Sequence, residues 1–215
     1  MARNIRLLLI EDDAVDQMAF RRMVREQGLP YDFSIASSLA TARQALQRQA
    51  FDVVVSDFTL GDGKAFEIVD AIGEIPLIFA TGAGDLGTVI EAMRKGASDY
   101  LLKDTGGDYL KVLPHRVEVA VRARRARLEL TESEERFRSL SESSPIGIFQ
   151  ANADGACIFT NERWQEIFGM DFGAALGSGW TLGIGEEDRE RVFHEWCAAA
   201  ENRGEFSTEI GRAHV

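Results

Sequence analysis

Along the first hundred residues, short uninterrupted apolar runs alternate with segments whose apolar positions recur every three or four residues. The runs lie at 5–10, 52–56, 76–80 and 100–102, with a weaker alternating run at 31–36. Runs this short, without a polar residue at every second place, predict strands covered on both faces. Between them the helical period returns: Val15, Met18, Ala19 and Met23 ahead of Gly28; Leu39, Ala42 and Leu46; Phe66 and Val69; Val89, Ile90 and Met93 ahead of Gly96. Ser38 and Thr88 stand where helices should start, and Gly28 and Gly96 where they should stop. Strand and helix in alternation predict right-handed crossovers and an α/β domain with a doubly wound, five-stranded parallel sheet over residues 1–125.

A different pattern follows. From Tyr109 to about residue 141 the chain has no strong breaker after Pro114, which suits the first turn of a helix. Val119, Ala123, Ala126, Leu130, Ser133, Phe137 and Leu140 alternate spacings of four and three, the seam of a coiled coil. A linker helix over 110–142 is expected, either paired in parallel with a second copy or packed on its own domain. After Ser144-Pro145, two short apolar runs flank Asp154-Gly155, a hairpin signal. A helical stretch with Trp164, Ile167 and Phe168, a helix over 187–200 and a strand at "GEFSTEI" complete a smaller α+β domain over 143–215.

Composition narrows the classes. A chain of 215 residues with 45% hydrophobic content holds one to two packed domains. Its net charge of −11 argues against general nucleic-acid affinity. The run Arg122, Arg124, Arg125, Arg127, followed by Glu129, Glu132, Glu134 and Glu135, reads as a solvated helix face. Cys157 and Cys197 fit neither a disulfide framework nor a metal spacing, which suits a reducing compartment. The first apolar run is too short to cross a membrane, so a cytoplasmic protein with neither a membrane nor a nucleic-acid partner is expected.

In doubly wound sheets the functional crevice lies outside the carboxyl ends of the strands. Those ends carry Asp12 and Asp13, then Asp57, Thr81 and Lys103. Taken alone, an acid pair after a strand caps the next helix, and Asp13 could do so. Three carboxylates in one crevice repel unless a cation joins them, and an all-oxygen set suits Mg²⁺. Lys103 and the Thr81 hydroxyl can then hold phosphoryl oxygens, which is the chemistry of phosphoryl transfer.

The ordered set "LLIEDD", "VVVSDFTLGDG", "IFATG" and "EAMRKGASDYLLKD" resembles the receiver domain of bacterial response regulators, a flavodoxin-like fold, over roughly residues 4–125. The resemblance implies Asp57 as phosphoacceptor from a histidine kinase or phosphotransfer protein. It implies Mg²⁺ on Asp12, Asp13, Asp57 and the carbonyl of Thr59, and Thr81 and Tyr100 as a switch pair. Lys103 is implied as the phosphate-binding cation, serving the reaction rather than the fold. Two prolines usual in the family are replaced, one by Asp104 after Lys103 and one near Gly61.

The stretches "SEERFRSLSESSPIGIFQAN" and "DGACIFTN" resemble the start of a PAS sensor domain over roughly 136–210, whose closing strands are missing. The chain is therefore expected to be a fragment, or to end in residues foreign to it. His194 reads as a polar rim residue and Cys157 as a small core residue, so neither haem nor flavin is expected and the PAS ligand is left open. The leading expectation is a signalling protein and not an enzyme, dimeric through the linker helix and the PAS domain. The alternative is the N-terminal part of a larger enzyme, such as a hybrid histidine kinase or a cyclic-dinucleotide cyclase or phosphodiesterase. A phosphatase on a related fold is set aside, because Thr59 stands where its second acid is needed.

Overall fold

The computed structural model describes residues 4–82, 97–104, 106–201 and 208. It divides into two compact units, Met1–Glu129 and Leu130–Val215.

The first unit runs β1 (Ile5–Ile10), α1 (Ala14–Glu26), β2 (Tyr31–Ala36), α2 (Leu39–Arg48), β3 (Val53–Asp57), β4 (Leu77–Gly82) and β5 (Asp99–Lys103). All five strands are parallel, in the order β2-β1-β3-β4-β5. Between β3 and β4 stand a hairpin of two-residue strands, Thr59–Leu60 and Gly63–Lys64, a 3₁₀ turn Ala65–Ile68 and a one-turn helix, α3 (Val69–Ile72). The helix expected through Thr88, Val89, Ile90, Met93 and Gly96 lies outside the described residues.

The apolar runs are continuous because the sheet is buried on both sides. Leu8, Ile10 and Val54 pack with Leu39, Ala42 and Ile68 on one face, while Leu7, Leu9, Val53 and Val55 pack with Phe20, Val117 and Val121 on the other. Each such side chain contributes roughly 1.5–3 kcal/mol on burial. The strand order reverses between β1 and β3, so the carboxyl ends of these two strands flank the crevice where ligands of such sheets bind.

The long helix α4 (Tyr109–Glu142) buries Leu113, Val117 and Val121 in the first unit. Pro114 is its sixth residue and not part of its first turn. The helix agrees with the expected 110–142 to within one residue, and the missing Pro114 amide leaves one intrahelical hydrogen bond unmade. Residues 125–140 are exposed all round, including Leu130 at 60% and Leu140 at 66%.

In the second unit, β6 (Phe149–Ala151) and β7 (Cys157–Thr160) form an antiparallel hairpin turned by Gly155, whose φ of +79° favours glycine. Then come α5 (Glu162–Phe168), α6 (Phe172–Ala175), a 3₁₀ turn Gly179–Gly183 and α7 (Glu186–Glu201). Of the "GEFSTEI" segment only Thr208 is described. The core gathers Cys157, Trp164, Trp180, Ile184 and Val192, with Phe149, Phe168 and Trp196 against it.

Buried Asn161 ties these parts together. Its amide donates to the carbonyls of Ser141, at 2.7 Å, and Ile146, at 3.0 Å. Its oxygen accepts from the amides of Ile148, at 2.7 Å, and Trp164, at 2.9 Å, capping α5 and pinning the entry to β6. Each orphaned buried partner costs about 1–3 kcal/mol. Asn161→Asp should therefore destabilise this unit more than Asn161→Ala, because it turns a carboxylate onto two carbonyl oxygens. All three tryptophans, Trp164, Trp180 and Trp196, lie in this unit, so tryptophan fluorescence during urea unfolding reads it selectively.

Candidate functional site

Lys103, the last residue of β5, points its ammonium into the crevice. Its Nζ lies 2.6 Å from Glu11 Oε2, 2.7 Å from Asp57 Oδ2 and 2.8 Å from Asp16 Oδ2. An ammonium has three donors, and here all three are taken. Burial works against the charged lysine, yet the hydrogen bonds it donates to Asp16, Asp57 and Glu11 outweigh it and hold its pKa above the ordinary value. Burial pushes the Glu11 carboxyl up, with Lys103 pulling the other way. Tyr109, which opens α4, is half-buried beside the same group. Desolvation first, then the negative charge of Asp16, pushes its phenol up to about 12.

Glu11, Asp12 and Asp57 each offer an oxygen within 4.8 Å of the others. Together with Asp16 they set four carboxylates against one ammonium, an excess of negative charge that calls for a divalent cation. Oxygen-only donors fit a hard ion such as Mg²⁺. The amide of Thr59 donates to Asp57 Oδ1 at 3.3 Å, which sets the Thr59 backbone beside the acceptor carboxylate.

This gathering differs by one position from the expected set of Asp12, Asp13 and Asp57. Asp13 is drawn away as the N-cap of α1, accepting from the amides of Val15, at 2.6 Å, and Asp16, at 3.3 Å. Glu11, directly after β1, turns into the crevice instead. The preference for Asp just ahead of a helix was the signal that could have shifted the assignment. Asp16 was also missed, since a first-turn acid ordinarily answers only to its own helix.

Thr81 is buried near the end of β4, and among the described residues its hydroxyl makes a long contact, 3.5 Å, to the carbonyl of Gly82. Register pairs Phe79 with Tyr100 and Thr81 with Leu102, so Thr81 and Tyr100 share one face of the sheet. Tyr100 is 39% exposed. The two replaced prolines have become hydrogen-bonding groups. The Gly61 amide, which proline would lack, donates to Asp12 Oδ2 at 2.8 Å, and Asp104 Oδ1 accepts from the Tyr109 amide at 3.2 Å at the start of α4. The described residues contain no cis peptide bond.

Residues 7–113 match the family model of the response regulator receiver domain, and residues 135–209 that of the PAS domain. The chain is 32% identical over 201 residues to the alginate biosynthesis transcriptional regulatory protein AlgB of Pseudomonas aeruginosa, covering 91% of this chain and 41% of that one. It is 30% identical over 108 residues to the regulatory protein LuxO of Vibrio cholerae, covering 48% of this chain and 23% of that one. The chain thus spans less than half the length of these relatives. Among solved structures, the signal receiver domain of an HD domain-containing protein from Pseudomonas fluorescens superposes with a TM-score of 0.53 at 22% identity, covering 60% of this chain and 95% of that one. A response regulator receiver domain protein from Methanospirillum hungatei gives 0.51 at 18% identity, covering 58% and 98%, and both show the same fold. Sheet order, crevice and matched models together identify the chain as a response regulator receiver domain followed by a PAS domain.

Proposed function

We propose that the chain is a two-component signalling protein in which Asp57 accepts a phosphoryl group from a phosphohistidine of a histidine kinase or phosphotransfer protein. The observation that carries this reading is the Asp57 carboxylate at the end of β3, 2.7 Å from Lys103 and within ligand reach of Glu11 and Asp12. Mg²⁺ held by Glu11, Asp12, Asp57 and the Thr59 carbonyl would supply positive charge to the phosphoryl oxygens. Asp57 provides the attacking oxygen. Lys103 donates an N–H to the transferring group, stabilising charge that develops there. The Thr81 hydroxyl, whose contact among the described residues is long, turns toward the phosphoryl and vacates space on the face it shares with Tyr100. Such a protein is a signalling element and not an enzyme beyond its own phosphoryl chemistry. A cytoplasmic place beside its kinase suits it, and no helix among the described residues is long and apolar enough to cross a membrane.

The signal leaves by α4. Residues 125–140 form more than four turns of helix with every residue exposed, and a lone helix of this length is marginal in water. Val119, Leu130 and Leu140 of the heptad seam stand in solvent, while Phe137 also packs on Phe159 at 5.2 Å. A second copy of the chain, paired in parallel along this seam and through the PAS domain, covers these residues. Small and polar seam positions at Ala123, Ala126 and Ser133 keep the pairing weak enough to shift with the receiver's state.

Incubation with acetyl phosphate and Mg²⁺ should add one phosphoryl group to the chain by intact mass. Asp57→Asn or removal of Mg²⁺ should abolish the addition, and a labelled Asn variant would refute the assignment. Lys103→Ala should slow the addition strongly. Because this ammonium is paired with three carboxylates, the same change should also cost about 3 kcal/mol of receiver stability in Mg²⁺-free buffer, partly restored by Mg²⁺. That stability loss departs from the expectation that Lys103 serves the reaction alone, and circular dichroism melts with and without Mg²⁺ measure it. Sedimentation should show a dimer whose association changes on phosphorylation and which Leu130→Glu disrupts; a monomer in both states would exclude the seam.

A further inference from the structure

A phosphoryl group on Asp57 brings three acceptor oxygens and close to two negative charges, and one of those oxygens needs a donor from Lys103. The ammonium has no donor to spare, so one of its three carboxylates must let go. Glu11 cannot do so cheaply: its side chain is 3% exposed, so without Lys103 its buried charge would depend on the ion alone. Asp57 keeps its negative charge until the O–P bond forms, so it holds Lys103 while the donor molecule approaches. Asp16 stands apart from both. Its side chain is 34% exposed, it lies outside the set of oxygens gathered for a metal, and Lys103 is the one hydrogen-bond partner of its carboxylate among the described residues. Once released it is rehydrated at little cost, since exposed charges retain most of their solvation.

We propose that Asp16 is a positioning residue that holds Lys103 in the unphosphorylated protein and yields it to the phosphoryl group, so that Asp16 sets the rate at which Asp57 is phosphorylated. The inference rests on Asp57 being the phosphoacceptor. With acetyl phosphate as donor, an Asp57 oxygen forms the new O–P bond, the acetyl O–P bond breaks, and acetate leaves with the electron pair. Lys103 keeps its protons throughout and exchanges only its acceptor, from Asp16 to a phosphoryl oxygen. Removing the Asp16 charge leaves that donor free before the donor molecule arrives.

The test uses the full chain with saturating Mg²⁺, following phosphoryl incorporation by intact mass across acetyl phosphate concentrations. Asp16→Asn and Asp16→Ala should raise the maximal rate several-fold over wild type. Asp16→Glu, which keeps a carboxylate in reach of Lys103, should return close to the wild-type rate. An acid serving only the first turn of α1 would change thermal stability and leave the maximal rate alone. Maximal rates equal to or below wild type in the Asn and Ala variants overturn the proposal. So does a gain that appears only as a lower half-saturating donor concentration, which is the signature of relieved repulsion of an anionic donor. A wild-type chain that takes no label on Asp57 removes the phosphoacceptor reading and this inference with it, whereas a labelled wild type with unaltered variants removes this inference alone.

Discussion

The Lys103 ammonium is shared by Glu11, Asp16 and Asp57, and the whole carboxyl edge of the receiver depends on that sharing. Neighbouring carboxylates repel, and the crevice between β1 and β3 is where the sheet forces them together. A single buried cation makes their coexistence tolerable but leaves an excess of negative charge. The same excess suits a divalent ion. Each acceptor that joins or leaves Lys103 therefore alters the balance of charge along this edge.

The surrounding loops hold this arrangement by hydrogen bonds where relatives of the family use proline. At Gly61 the retained amide fixes one oxygen of Asp12, and at Asp104 a carboxylate takes the first amide of α4. A proline would make either loop stiffer, but it has no amide to donate at 61 and no side-chain acceptor to offer at 104. The geometry here is therefore set by specific acceptors, which ties Asp12 to one loop and the start of the long helix to the residue after Lys103.

In the second unit one fully satisfied polar side chain plays a comparable part. Asn161 spends two donors and one oxygen on the end of α4, the entry to β6 and the start of α5. Buried networks of this kind rigidify when complete and fail when any member is missing. The helix α4 begins at Tyr109, beside the charged crevice, and ends at this joint, with residues 125–140 exposed between.

Much of this was legible in the sequence because periodicity is a property of near neighbours. The aliphatic runs marked all five strands, and their ends placed Asp57, Thr81 and Lys103 at the carboxyl edge. The Asp154-Gly155 pair marked the hairpin of the second unit. The bounds of α4 were legible to within one residue, but Pro114, read as a first-turn residue, is the sixth of the helix. Which two of three consecutive acids face the crevice was not legible either. Backbone amides at the start of α1 recruit Asp13 and leave Glu11 and Asp12 to the site. Nor could sequence pair Lys103 with Asp16, 87 residues away, or with Glu11, 92 residues away. Local pattern determines which residues become strand, helix and strand end; the order of strands in the sheet decides which of those ends meet, because only it brings charges so distant along the chain within hydrogen-bond reach.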